Sequence, residues 1–332
     1  MQILQLRGGL VESVHRVAAA AVLMDDTSFD EGSPPARLCW QDGLPAHSTW
    51  RSAAKPLQLW CSLEALGDPP DLGAEDLAIG ASSHSGQPGH VAAVRAVLAR
   101  LGVPEAELCC GAEAPAHVPT ARALQAAGLP FLPVHNDCSG KHAFLLGACH
   151  ARSGSSQGYL SAEHPLQRRI AQIARAWCGE APALAVDGCG LPTLWLSLPS
   201  MARAWARLAA ATAEPDRDPR LGRIGHAMAA HPWHTSGDER LDLALHRRAT
   251  EPWVGKIGAR GVFCVALPAR RMGLALKVLD GDEDALAVAV PALVEHLAPG
   301  ALAPAPDWPW AMMHNVVGRP VGRRVAVDLA GV

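Results

Sequence analysis

The chain has very little lysine. Of its 29 basic residues only Lys55, Lys141, Lys256 and Lys277 are lysines, and the rest are arginines. Arginine stands wherever any cation serves, so the surviving lysines mark positions where the cation's chemistry matters. A lysine amine can lose its proton when desolvated and act as a base or ligand, which a guanidinium effectively cannot do. Two of the four, Lys141 and Lys256, directly follow a glycine, and Lys55 follows Ser52 at a spacing of three. Tyrosine is scarcer still. Tyr159 is the only one and lies in a Gly/Ser-rich stretch, so a tyrosine general base is not expected and another residue must fill that role.

Other absences narrow the class. A net charge of −3 argues against nucleic acid as the main partner. No run of about eighteen apolar residues offers a membrane span. Met1-Gln2-Ile3-Leu4-Gln5 lacks the basic-then-apolar pattern of a signal peptide, so a cytoplasmic chain is expected. Nine cysteines are scattered without a C-x-x-C pair, which excludes a disulfide framework and favours reduced thiols, most of them in the core. What is present is ample core material: 332 residues, 49% of them hydrophobic. That suffices for one large domain or two fused layers.

Periodicity orders the elements. Strands are expected over 3–6 and 11–24 around Arg7-Gly8-Gly9, the second ended by Asp25-Asp26, and another over 38–40 before Asp42-Gly43. Helices follow from Lys55, over 75–81, 90–101, 143–151, 164–178, 201–213, 221–230 and 239–250, with a proline-punctuated, irregular stretch between 104 and 133. A short strand is expected over 184–186, then strands over 262–267, 273–279 and 325–327, with a helix over 283–297. Terminal strands and a mainly helical middle predict an α+β fold whose antiparallel sheet is built from both chain ends. The division is a single domain, with a sheet layer from about 1–50 and 254–332 and a helical layer over about 51–253.

Four clusters combine small residues with reactive side chains. In Arg51-Ser52-Ala53-Ala54-Lys55-Pro56, a helix start would place Ser52 and Lys55 on one face, a hydroxyl beside a possible base. Pro56 suits a first turn, and the helix N-terminus favours a developing alkoxide. Taken alone, S-x-x-K is a spacing that chance supplies about once in a chain of this length. Ser82-Ser83-His84-Ser85-Gly86 carries more hydroxyls than a simple cap needs. His135-Asn136-Asp137-Cys138-Ser139-Gly140-Lys141-His142 precedes a helix, and Asp187-Gly188-Cys189-Gly190 is a tight turn with a carboxylate and a thiol. Val254-Gly255-Lys256-Ile257-Gly258 sets a lysine among glycines that let the backbone approach a ligand. Gly140-Lys141 is not a phosphate loop, since His135 stands where its first glycine belongs and no hydroxyl follows Lys141.

Together these motifs, in this order and spread over nearly the whole chain, resemble the rhizobial-type L-asparaginase family. The opening Arg7-Gly8-Gly9-Leu10-Val11-Glu12-Ser13 with His15-Arg16-Val17 is similar to that family's N-terminus. The resemblance implies a serine β-lactamase/glutaminase-like fold, hydrolysis of L-asparagine to L-aspartate and ammonia through an acyl-enzyme, two serine-lysine pairs, a nearby zinc site and a homodimer. Carried over by motif, Ser52 pairs with Lys55 and Ser83 with Lys256, with Ser52 favoured as nucleophile. Cys138, Lys141 and Cys189 match the family's zinc ligands; the residues alone read as two core cysteines. His84 and His142 adjoin the clusters as supporting hydrogen-bond partners, and His142 is also a candidate substrate contact.

For Asp187, the bland reading is a turn carboxylate that caps its own backbone, and the sharper one is a partner for the substrate ammonium, with Arg51 meeting the carboxylate. Asp242 falls where the family may carry another residue, which leaves substrate preference open. Two rivals remain from the sequence. One keeps the fold and acts on glutamine or another small amide. The other is a non-catalytic metal- or thiol-responsive protein that uses Cys138 and Cys189.

Overall fold

The computed structural model describes residues 1–24, 36–42 and 46–328; the Asp25-Asp26 stop and Gly43 lie outside them. Arg7-Gly8-Gly9 makes a tight hairpin between β1 (Gln2–Arg7) and β2 (Leu10–Met24). Gly8 and Gly9 both take positive φ, 56° and 85°, the backbone that a two-residue hairpin turn demands. β2 is long enough to serve three partners. It pairs antiparallel with β1 along 10–16, with β3 (Ala36–Asp42) along 19–24, and with β9 (Met272–Val278) along 17–23.

The remaining strands are β4 (His47–Thr49), β5 (Ala183–Val186), β6 (Pro192–Ser197), β7 (Val254–Gly258), β8 (Val262–Leu267), β10 (Met312–His314) and β11 (Pro320–Val327). The main sheet runs β10-β11-β1-β2-β9-β8-β7, with β3 also on β2, and every pairing is antiparallel. Its first strands come from one end of the chain and the rest from beyond residue 254, as the sequence predicts for an α+β fold. β4, β6 and β5 form a separate small sheet.

Period-two alternation divides the main sheet into two faces. Ala18, Ala20, Val22, Cys264, Ala266 and Ala275 face one core, while Val17, Ala19, Ala21, Phe263, Val265 and Leu276 face the other. The first core lies under the alanine-rich helix Leu198–Ala213, and the second under Leu286–Leu297. Small residues bring the first helix very close: a Cβ on Gly273 would stand 2.1 Å from the Ala206 backbone nitrogen. Residues with longer side chains would hold the layers apart. No helix among the described residues is long and apolar enough to cross a membrane.

Three elements differ from the sequence reading. The stretch taken as irregular holds a helix, Val118–Ala126, because Pro119 falls in its first turn, where a missing N–H is harmless, and His117 Nδ1 caps Thr120 N at 3.4 Å. The glycine turn after Cys189 feeds directly into β6, whose Trp195 faces outward on an otherwise buried strand. The helix expected over 239–250 is only Leu241–His246.

Candidate active site

Arg51–Ala54 form a turn of 3₁₀ helix that runs into the α-helix Lys55–Leu66, so the S-x-x-K stretch does open a helix, with Pro56 in the first α-turn. Arg51 enters it with a left-handed backbone, φ 51°. The fully buried Lys55 amine does not turn to Ser52. It donates to the Ser82 carbonyl, to Ser83 Oγ at 2.9 Å and to the Asp137 carbonyl at 3.3 Å. Three acceptors on the far side outbid one hydroxyl.

Lys256 reaches the same oxygen from β7. Its Nζ lies 2.8 Å from Ser83 Oγ and 3.1 Å from the Ile257 carbonyl, and the side chain is fully buried. Burial pushes its pKa down to about 7, against the pull of the Asp242 carboxylate and with the help of the Lys55 charge. Asp242 is itself buried, with Oδ1 accepting from Ile257 N at 2.7 Å and Oδ2 left without a partner. Both lysines thus converge on Ser83, instead of one on each serine. Gly255, the neighbour of Lys256, makes room for the Trp253 indole, since a Cβ there would stand 2.7 Å from Trp253 Nε1.

Ser83 is held on the main chain by a 3.0 Å bond from its N–H to the Thr235 carbonyl. The adjacent His84 is buried, which drives its pKa well below the usual imidazole range. Its Nδ1 accepts from Gly86 N at 3.1 Å, so a neutral ring carries its proton on Nε2, facing Ser139 Oγ at 2.8 Å. His84 is therefore a supporting group. Asp137 was named in the sequence only as part of an octet; burial alone would raise its pKa, but the Lys55 charge, a hydrogen bond from Cys138 and the His84 and Lys256 neighbours hold it far below the usual carboxylate range. It is the anion that compensates the buried cations.

Beside this buried centre opens a cleft of about 430 Å³, lined by Ser52, Arg51, Asp187, Glu113, Asp137 and both Cys138 and Cys189 among others. Ser52 is half-buried on its wall. Across the mouth, Arg51 Nε donates to Asp187 Oδ1 at 2.5 Å, and the same oxygen accepts from Gly188 N at 2.8 Å. Asp187 thus caps its own turn, as the bland reading has it, and its charged partner in the structure is Arg51. Glu113 had no signal in the sequence, since nothing around it repeats or is spaced for chemistry. Burial and the nearby Asp137 charge raise its pKa.

On the cleft's inner side Cys138, Lys141, Cys189 and His142 come together. Cys189 lies 3.4 Å from Lys141 Nζ and is hydrogen-bonded by Cys138. That bond, and the Lys141 charge against the cost of burial, hold the Cys189 thiol far below its usual pKa, while the shared proton and burial push Cys138 up. Both shifts favour the anionic form of Cys189 beside the Lys141 amine. His142 Nδ1 is 2.8 Å from the Tyr159 hydroxyl, and its Nε2 is a buried polar atom with no hydrogen-bond partner, adjoining Cys189. His142 stands behind Cys189 and outside the cleft lining. Tyr159, also taking the Cys109 N–H at 3.1 Å, has its acidity suppressed by burial, as suits a structural tyrosine. Lys277, the fourth lysine, instead donates to the Arg260 carbonyl at the sheet margin.

A family profile described as L-asparaginase II matches residues 3–326, nearly the whole chain. The chain belongs to the L-asparaginase II family. It is an amidohydrolase whose small-molecule substrate is L-asparagine. No significant match appears among curated proteins. Family membership overturns the rival reading of a non-catalytic thiol-responsive protein.

Proposed function

We propose that the chain hydrolyses L-asparagine by a serine-lysine acyl-enzyme mechanism on a serine β-lactamase-like scaffold. The observation that carries the serine-lysine part of this reading is the convergence of two buried lysine amines, at 2.9 and 2.8 Å, on Ser83 Oγ, and Ser52 is taken as nucleophile because it is the serine that lines the open cleft. Buried cations so close to one another are costly, and a site that needs a base near neutrality is the physical reason to keep them.

The substrate is a zwitterion, and the Arg51–Asp187 pair is its mirror image. Asparagine exchanges that internal pair for two of its own, carboxylate to Arg51 and ammonium to Asp187, and so lays its side-chain amide along the cleft toward Ser52. A proton first passes from Lys55 through Ser83 Oγ to the free amine of Lys256, and Lys55, now neutral, turns from the Ser82 carbonyl to take the Ser52 proton as Ser52 Oγ attacks the amide carbon. The oxyanion meets the Ser52 N–H at the positive end of the helix entry, the Arg51, Ala53 and Lys55 N–H groups being already bonded to Thr193 Oγ1, the Trp50 carbonyl and the Ser52 carbonyl. Ser83, bonded to both amines, passes a proton to the departing nitrogen; the C–N bond breaks, ammonia leaves, and a Ser52 ester remains. Water then cleaves the ester with Lys256 as the base that titrates near neutrality. Aspartate departs and the Arg51–Asp187 pair re-forms.

Cys138, Cys189 and Lys141 fit a zinc ion, because two sulfurs and an amine already converge and the unpartnered His142 Nε2 adjoins them. When bound, zinc would supply a fixed positive charge to the cleft wall and orient Asp187, two residues from Cys189. The lysine must release its proton to bind. A cytoplasmic homodimer completes the reading, and Leu184, Val186 and Trp195 give the small sheet an exposed apolar strip on which a second copy could pack.

A second reading takes Ser83 as nucleophile, favoured by the two amines that already hold it. Labelling with an electrophilic asparagine analogue, followed by peptide mass mapping, separates them. Modification on Ser52 supports the first, and modification on Ser83 replaces it.

A further inference from the structure

The loop that carries Ser83 leans on a four-residue helix, Pro232–Thr235. Ser83 N donates to the Thr235 carbonyl, and Ser85 Oγ donates to the Ser236 carbonyl at 3.1 Å. The same loop is fed by the helix Ala74–Gly80, with Ser82 N bonded to the Ile79 carbonyl at 3.2 Å. These two elements are therefore supports of Ser83, and neither lends a residue to the cleft lining.

Where they meet at the surface they bring three ligand-type side chains together. His231 and His234 stand one turn apart with rings 5.6 Å between centroids, and Glu75 comes from the first turn of the neighbouring helix, its Oε1 3.8 Å from His231 Nδ1. One ligand atom from each residue lies within 4.8 Å of the others. The turn that bears the histidines is rigidly seated. Trp233 stacks on His90 at 4.0 Å and 12°, its carbonyl is 3.0 Å from His90 Nε2, and Gly89 leaves space for the indole, as a Cβ there would come within 2.8 Å of it. The His231 carbonyl accepts both the Thr235 N–H and its hydroxyl.

We propose that Glu75, His231 and His234 form a second metal site, for a divalent transition ion of the zinc class, distinct from the cysteine cluster. Two imidazoles and one carboxylate are a donor set that zinc, cobalt and nickel take readily. With bonds of about 2.0–2.2 Å a tetrahedral ion holds its ligand atoms roughly 3.3–3.6 Å apart, so small side-chain movements close the site. His231 and His234 are half-buried and Glu75 is exposed, which leaves a solvent side for water and makes the ion exchangeable. Once bound, it clips Ala74–Gly80 to Pro232–Thr235 and so joins the two supports of Ser83.

The test is a Zn²⁺ titration by calorimetry on untagged Cys138→Ser/Cys189→Ser protein, in which the sulfur donors of the other cluster are gone. One ion per chain is expected, with affinity cut on the order of tenfold or more by Glu75→Gln and binding abolished by His231→Ala with His234→Ala. No binding in the Cys138→Ser/Cys189→Ser protein, or binding that survives loss of both histidines, overturns the proposal. If the cysteine variant does not fold, Co²⁺ absorption on the unaltered chain decides. A component without thiolate charge-transfer bands must appear and must vanish in the double-histidine variant; its absence overturns the site. The thiolate component reports separately on the cysteine cluster, so failure there leaves this result readable.

Discussion

Lys256 Nζ and Ser83 Oγ are 2.8 Å apart although 173 residues separate them in the chain. The bond joins a residue of β7, the last strand of the main sheet, to the loop that follows Ala74–Gly80. Lys55 completes it from a third element, so a single hydroxyl reports on the assembly of the whole site.

The first prediction concerns pH. With the Lys256 pKa lowered by burial to about 7, its free-amine form grows as pH rises through that value, so kcat/KM is expected to climb with pH there. Lys256→Arg keeps the charge and removes the base; activity should fall about 10²- to 10⁴-fold and the ascending limb should disappear. A fully active arginine variant would remove Lys256 from the mechanism.

The same lysine should leave a mark on stability. Between about 7 and the unfolded value of about 10.4, the unfolded chain holds a proton that the folded chain has released. Unfolding free energy from this group therefore rises with pH across that window, and the penalty is fully present below it. Denaturant titrations of the native protein and Lys256→Met at several pH values should show a shallower slope in the variant.

For substrate recognition, Arg51→Lys and Asp187→Asn are expected to raise KM by about tenfold or more while leaving kcat less affected, because each loses a charge-assisted contact made before the chemical step. Steady-state ammonia release on asparagine provides the measurement. An asparagine analogue without the α-carboxylate should no longer distinguish native protein from the Arg51 variant.

Metal content separates the roles of the two sulfurs. Cys138→Ser and Cys189→Ser should each lose tightly held zinc from the cysteine cluster, read by elemental analysis after gel filtration, with the fold retained by circular dichroism. Retention of that zinc in both would assign the cluster to the core alone.

Gly140→Ala tests why a glycine precedes Lys141. The new Cβ would stand 2.1 Å from the Ile79 carbonyl oxygen, so the helix Ser139–Ser153 would have to shift away from Ala74–Gly80. A loss of about 1–3 kcal/mol of stability is expected from such overpacking, together with weakened activity. A melting temperature equal to that of the native protein would contradict this packing.

Much of the site was legible because the reactive side chains sit in short, composition-marked stretches. Scarcity identified Lys55, Lys141 and Lys256. The glycines before two of them suggest room for a ligand, whereas Gly140 packs on the Ile79 carbonyl and Gly255 on the Trp253 indole. The destination of each amine was not legible. Helical spacing makes Ser52 available to Lys55, but tertiary structure offers Lys55 two carbonyls and a second hydroxyl on the other side. Asp137 stayed unassigned for the same reason, since its worth comes from cations supplied by distant elements. In the fold, partial alternation exposed β2 and a continuous apolar run exposed β8, whereas β6 was hidden by the glycine turn before it and the Val118–Ala126 helix by the prolines around it.

Arg51 combines a charged side chain with a backbone at φ 51° that only glycine adopts freely. Evolutionary pressure on this position therefore pulls two ways. An Arg51→Gly chain would relax a conformation costing roughly 1–2 kcal/mol and should melt higher, yet it would present asparagine with a cleft lacking its cation. The entrance to the catalytic helix is thus a place where durability and turnover are set against each other within one residue.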